Sequence, residues 1–196
     1  MNDIFYTADI HLGHKNIIRL DERPFSHIEE MNEVLIDNIN NRVGTRDILK
    51  IVGDVSFTIG PEEVRKHLLR IKCKNIILIE GNHDDVIMKN FHSHFLGIFK
   101  EVHEMERVKK DKNWVTSCHF PMISWMGKNN GGINVYGHVH TKDENLLDPS
   151  KKRWNAYNVG MPVCNYFPVT MEELQEEHGY DKYYYRDYME RTGYHY

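Results

Sequence analysis

The sequence predicts an α/β fold built on two sheets. In the first half, short apolar runs alternate with amphipathic helical stretches, the pattern of parallel strands joined by crossover helices. In the second half, strand-like runs follow one another with no helix between them, which predicts a second, more antiparallel sheet. Most of these runs stop at a cluster of Asp, Asn and His. The polar clusters therefore fall at strand ends, where open α/β sheets collect their sites.

The first strand is "IFYTAD", Ile4 to Asp9, and it ends in Asp9, His11 and His14. "FSHIEEMNEVLIDNINNRV" follows as a helix. Ile28, Met31, Leu35, Ile39 and Val43 recur there as one apolar stripe, with Ser26 as cap and Glu29 completing a capping box. "DILKIVGD", Asp47 to Asp54, is a strand closing in Gly-Asp. "GPEEVRKHLLRI" is a helix: Pro61 fits its first turn, Glu62 and Glu63 suit the positive end of the dipole, and Val64, Leu68 and Ile71 form its apolar face. "NIILIEGNHDD" is the third strand, running into Gly81, Asn82, His83 and Asp84. Further on, "WVTSCHFPM", "GGINVYGHVH" and "WNAYNVG" are strands, and Thr170 to Glu177 begins a helix with a second capping box, Thr170 and Glu173.

A chain of 196 residues suits one domain with a real core, and no linker or repeat divides it. Its net charge of -4 and lack of a long basic arm disfavour extended nucleic-acid binding, while a local basic patch stays open. Three cysteines, odd in number and without a CxxC pair, point to a reduced, cytoplasmic protein. No secretory signal is visible, and no apolar run approaches the ~20 residues of a membrane span. The unusual count is histidine, at 13.

Read in order, the strand ends carry Asp9-x-His11, Gly53-Asp54, Gly81-Asn82-His83-Asp84, His119 and Gly137-His138-x-His140. Carboxylate, amide oxygen and imidazole are borderline-to-hard donors, suited to Mn²⁺, Fe or Zn²⁺. Cys118 adjoins the cluster, but its side chain should point away from that of His119 if both lie in a strand. With His83 and Asp84 set aside, seven candidate ligands remain: Asp9, His11, Asp54, Asn82, His119, His138 and His140. One ion takes roughly four to six positions counting water. Seven fit two ions if one carboxylate bridges, the ~3.5–4 Å pairing used for displacement at phosphorus.

That order of motifs resembles the calcineurin-like metallophosphoesterase superfamily over roughly residues 4 to 161. Within it, "ADIHLGHKNIIRLDERPF" and "NVGMPVCNYFPVT" are similar to segments of the small, capless bacterial and phage phosphoesterases. The resemblance implies a four-layer sandwich of two sheets packed face to face and flanked by helices. It implies Asp9, His11 and His140 on one divalent ion, Asn82, His119 and His138 on a second, and Asp54 bridging, with Mn²⁺ first and Fe or Zn²⁺ also suited. His83 is then not a ligand: it stabilises or protonates the leaving oxygen, oriented by Asp84, while Asp85 only caps the next segment. The implied reaction is hydrolysis of phosphoric esters, phosphodiesters ahead of monoesters, by in-line attack of a hydroxide held between the ions.

Beyond the motifs, His14, Asn16, Arg19 and Arg23 follow the first ligand pair, where an arginine can clamp a phosphate bidentately. "MGKNNGG", Met126 to Gly132, borders the substrate or is a plain connecting loop. The Tyr-rich extension at about 170–196 can stack bases, but packing is the favoured expectation, on its own domain or on a second copy of the chain in a homo-oligomer. The expected partner is a phosphoester substrate, a nucleotide among the options, with no membrane. Two other readings stand beside the esterase: a metal-dependent nuclease, and a metal-binding scaffold of weak chemistry. The presence of His83 speaks against the scaffold.

Overall fold

A computed structural model describes residues 2–57, 59–110, 112–140 and 155–176. The strands are β1 (Ile4–Thr7), β2 (Ile48–Val52), β3 (Asn75–Ile79), β4 (Phe99–His103), β5 (Met105–Lys110), β6 (Asn113–Cys118), β7 (Ile133–Tyr136), β8 (Ala156–Asn158) and β9 (Val169–Thr170). The helices are α1 (Ile17–Leu20), α2 (Ile28–Arg42), α3 (Pro61–Leu68), α4 (Asp85–Lys89) and α5 (Met171–Glu176). The first sheet has the order β4-β3-β2-β1-β9, with β1 to β4 parallel and β9 antiparallel. The second has the order β5-β6-β7-β8.

Side-chain alternation along the strands builds two cores. Phe5, Leu49, Ile51, Ile76 and Leu78 point one way and meet Met31, Leu35 and Ile39 of α2, Val64 and Leu68 of α3, and Ile87 of α4. Tyr6, Val52, Ile77 and Ile79 point the other way and meet Val115, Ile133, Val135 and Tyr157 of the second sheet. Both faces of the first sheet are thus covered, which is why its strands read as continuous apolar runs. One polar pair crosses the inter-sheet core: Lys50 of β2 is ion-paired with Glu106 of β5, both buried. Helix α5 adds Met171 and Leu174 to that core, and its Glu172 pairs with Lys110, at the end of the second sheet remote from His119. Among the described residues, no helix is long and apolar enough to cross a membrane.

The structure corrects the sequence reading in several places. The second sheet is mostly parallel: only β5–β6 is antiparallel, while β6–β7 and β7–β8 are parallel. The segment between β6 and β7 is a crossover without a long helix, pinned by buried Trp125, whose Nε1 donates to the Gly132 carbonyl at 2.8 Å. Strands β4, β5 and β9 escape sequence detection for one reason. All three are sheet edges, and β4 and β5 expose charged faces that keep an edge from pairing further. The cap of α2 is His27, whose ring accepts the Glu30 N–H, while the Glu30 carboxylate reaches back to the Ser26 N–H at 2.7 Å. The box is therefore shifted by one residue from Ser26 and Glu29. Thr170 and Glu173 do form the reciprocal box at α5. The rest of the Tyr-rich extension lies outside the described residues.

Candidate metal centre

The polar strand ends meet at one place because β1, β2 and β3 are parallel and in register. Just past β1, the Asp9 N–H donates to the Gly53 carbonyl at 3.1 Å and the His11 N–H to the Asp54 carbonyl at 3.0 Å. Asp9, His11 and Asp54 hold left-handed backbone, with φ of 54°, 55° and 57°, and His138 does so at 69°. For a residue other than glycine this costs about 1–2 kcal/mol, and such strain gathers at functional sites. Gly53 has φ 85° and no room for a side chain: a Cβ there would collide with the His119 ring. A Cβ on Gly81 would collide with the Asp54 carboxylate.

All seven expected ligands come together. Asp54 lies between two histidines, with one carboxylate oxygen 3.6 Å from His11 Nε2 and the other 3.4 Å from His119 Nε2. His11 Nε2 is 3.3 Å from His140 Nε2, and His140 Nε2 is 3.8 Å from Asp9. The Asn82 amide oxygen is 3.1 Å from His119 Nε2. The His138 N–H donates to the Asp9 carboxylate at 3.0 Å, and its ring lies 5.2 Å from that of His119. Two triads have donor atoms close enough to share an ion: Asp9, His11 and His140, and Asp9, Asp54 and His119.

The outer nitrogens of two rings are already committed. His119 Nδ1 lies 2.8 Å from the Val52 carbonyl, and His140 Nδ1 lies 2.9 Å from the Asp21 carboxylate. Each ring then turns Nε2 inward, where it can accept once it has given up its proton, the usual arrangement behind a metal-bound histidine. Asp9, His11, Asp54 and His119 are almost fully buried. Burial, followed by Arg23 and His140, holds the His11 ring well below its usual range, so it stays neutral. Burial pushes the Asp9 carboxyl up, against His140 and His119. On His119, burial pulls down, but Asp54 and Asp9 overcome it and push the ring up to about 9. Facing imidazole nitrogens beside buried carboxylates form a nitrogen–oxygen cavity that a divalent cation fits.

Other expected residues take different places. The His83 N–H donates to Asp54 at 2.9 Å, and its ring stands 5.6 Å from that of His11, edge-on to Phe57 at 4.4 Å. Asp84 does not orient His83. Its buried carboxylate accepts the backbone N–H groups of Asp54, Val55 and Gly81 at 2.8–2.9 Å. The turn directs its side chain back under the loop, away from the imidazole beside it in sequence. Asp84 also takes the N-cap position of α4, and Asp85 is instead a first-turn residue paired with Lys89.

Arg23 is not a phosphate clamp either. Its guanidinium is buried and bound to the Asp9 carbonyl at 2.8 Å, the Ile10 carbonyl at 3.0 Å and Asp21 at 3.1 Å. It staples the ligand-bearing loop from behind. His14 is buried with its ring 5.4 Å from that of His11, whereas Asn16 and Arg19 are exposed beside it. Sequence reasoning missed Asp21, which holds His140, and Asn158, whose amide donates to the Val139 carbonyl within the Gly-His-x-His turn.

A profile of the calcineurin-like phosphoesterase family matches residues 3–185. An uncharacterised protein of Methanocaldococcus jannaschii is 32% identical over 175 residues, covering 88% of this chain and 89% of that protein. The gene 66 protein of Mycobacterium phage L5 is 26% identical over 168 residues, 72% of this chain and 79% of the phage protein. A crystal structure of a protein of unknown function from Aquifex aeolicus superposes with a TM-score of 0.70, covering 90% of this chain and 99% of its own, at 20% identity. At that identity the likeness is one of fold.

Proposed function

The chain belongs to the calcineurin-like phosphoesterase family, and from that premise we propose that it hydrolyses phosphoric esters, phosphodiesters ahead of monoesters, with two divalent ions, manganese first. The observation that carries this reading is the position of Asp54, within 3.6 Å of His11 Nε2 and 3.4 Å of His119 Nε2. Asp9, His11 and His140 would hold one ion, and Asn82, His119 and His138 the other, with Asp54 shared. Asp9 belongs to both donor triads, and each carboxylate accepts one backbone N–H, from His138 on Asp9 and from His83 on Asp54. Asp54 is taken as the bridge because it sets one oxygen toward His11 and the other toward His119. When bound, the ions supply an activated water and neutralise charge on the phosphoryl oxygens.

The chain's own groups do the rest. His83 donates a proton or a hydrogen bond to the departing oxygen, its ring steadied by Phe57 rather than by Asp84. A positioned acid of this kind is worth ~10²–10⁴-fold in rate. The exposed Arg19, with Asn16 and His14 nearby, meets the non-bridging phosphate oxygens. No protein nucleophile takes part, so no phosphoenzyme forms.

The test is turnover of bis(p-nitrophenyl) phosphate and p-nitrophenyl phosphate by chelator-stripped protein, before and after reloading with Mn²⁺. Turnover that returns with the metal and is faster on the diester supports the reading. Failure on both substrates with Mn²⁺, Fe²⁺ and Zn²⁺ would sink it and favour the scaffold. In His83→Ala, both ions should stay bound while kcat falls ~10²–10⁴-fold, more for alkyl than for nitrophenyl leaving groups.

A further inference from the structure

Phe120 directly follows His119, and neither the fold nor the reaction proposed above uses it. Its ring centroid lies 5.2 Å from that of His119 and 4.7 Å from that of His138, edge-on to both. Yet 47% of Phe120 is exposed. One exposed aromatic residue on a surface is ordinary. This one lies against two of the candidate ligand rings, so the His119–His138 side of the centre is bordered by an exposed aromatic side chain.

The other side is also aromatic. Phe57 stands edge-on to His83 at 4.4 Å and to His14 at 4.6 Å. The rings form a contact chain from Phe57 through His83 and His11, across Asp54, to His119, His138 and Phe120. A phosphate held at the middle of that chain sends an organic substituent to each side. The substituent on the second side meets the exposed Phe120 ring. A flat aromatic group gains most there, because stacking is the contact an exposed phenyl face makes well and a sugar or alkyl group makes poorly.

We propose that Phe120 selects phosphoesters bearing a flat aromatic group, a nucleobase or aryl ring, by stacking against it beside the metal centre. This rests on the phosphoesterase reading and adds a substrate class to it. Phe120 acts on binding, so its loss should leave the affinity for bare phosphate intact.

The experiment is calorimetric titration of the Mn²⁺-loaded protein with adenosine 5′-monophosphate and, separately, inorganic phosphate. It is run on the wild type, Phe120→Ala, Phe120→Leu and Phe120→Tyr, with metal content measured for each. In Phe120→Ala and Phe120→Leu, the nucleotide should bind roughly tenfold to hundredfold more weakly, while phosphate is unchanged. Phe120→Tyr should restore nucleotide binding. Equal loss of both ligands, or loss of metal in the leucine variant, would make Phe120 a mere support for the histidines and overturn the proposal. Unchanged nucleotide affinity would overturn it too. If the wild type binds no inorganic phosphate at all, the phosphoesterase reading falls and takes this proposal with it.

Discussion

At the ends of β1 and β2, the donors are held by their own backbone. Asp9 and His11 bond through their N–H groups to the Gly53 and Asp54 carbonyls, and all three donors there, Asp9, His11 and Asp54, sit in left-handed backbone. Asp84 ties the loops after β2 and β3 from beneath. At the ends of β6 and β7, imidazoles are held through partners drawn from elsewhere: His119 by Val52, His140 by Asp21, and the turn between His138 and His140 by Asn158. One side is a floor that cannot shift without unfolding its strands. The other is a wall whose rings are aimed by groups of other elements, His119 by a backbone carbonyl and His140 by a carboxylate that can be changed on its own. Damage to the floor should therefore appear first as lost stability, and damage to the wall as lost affinity for one ion.

A large loss of stability is expected of Gly53→Ala. It forces a Cβ into the His119 ring at a φ of 85°. Left-handed strain of about 1–2 kcal/mol and overpacking of about 1–3 kcal/mol add, so chemical denaturation should show a loss of several kcal/mol. A loss below 1 kcal/mol would mean the floor yields. A loss as large or larger is expected of Asp84→Ala, which leaves three N–H groups without their acceptor at about 1–3 kcal/mol each. Asp84→Asn should recover part of that loss. Both variants should lower the melting temperature without moving the pH profile of turnover. A shifted profile with unchanged stability would return Asp84 to the role of orienting His83.

Those two residues also show what is legible in sequence. An apolar run broken by Asp and His, as after β1, or by glycine and then Asp or Asn, as after β2 and β3, is a local signal, and it located the candidate donors at those three strand ends. The reading of Asp84 failed because adjacency to His83 says nothing about where a side chain points once the backbone turns. Asp21 and Arg23 were illegible as supports because their partners, His140 and the Asp9 carbonyl, reach them only after folding. The direction of the second sheet was illegible because its crossover carries no long helix to mark a parallel connection.

Smaller effects sharpen the description of the wall. Asp21→Asn should weaken one ion by ~10–100-fold and leave the other in place, as read by metal titration. A change in both affinities would mean Asp21 acts on the floor through Arg23. Metal affinity should also depend on pH through His119. In the metal-free site this ring titrates near about 9, so at neutral pH it must release a proton to bind. Affinity on its side should rise by up to about tenfold per pH unit until that value is reached. Titrations in buffers of different ionisation enthalpy should register the released proton, and identical heats would contradict it.

The central claim is a centre of two ions joined through Asp54. It is tested most directly by counting tightly bound manganese per chain, by elemental analysis after loading and desalting, in the wild type, Asp54→Ala and His140→Ala. The account predicts two ions, none and one. A wild type that holds a single ion, or an Asp54→Ala variant that still holds two, would contradict it.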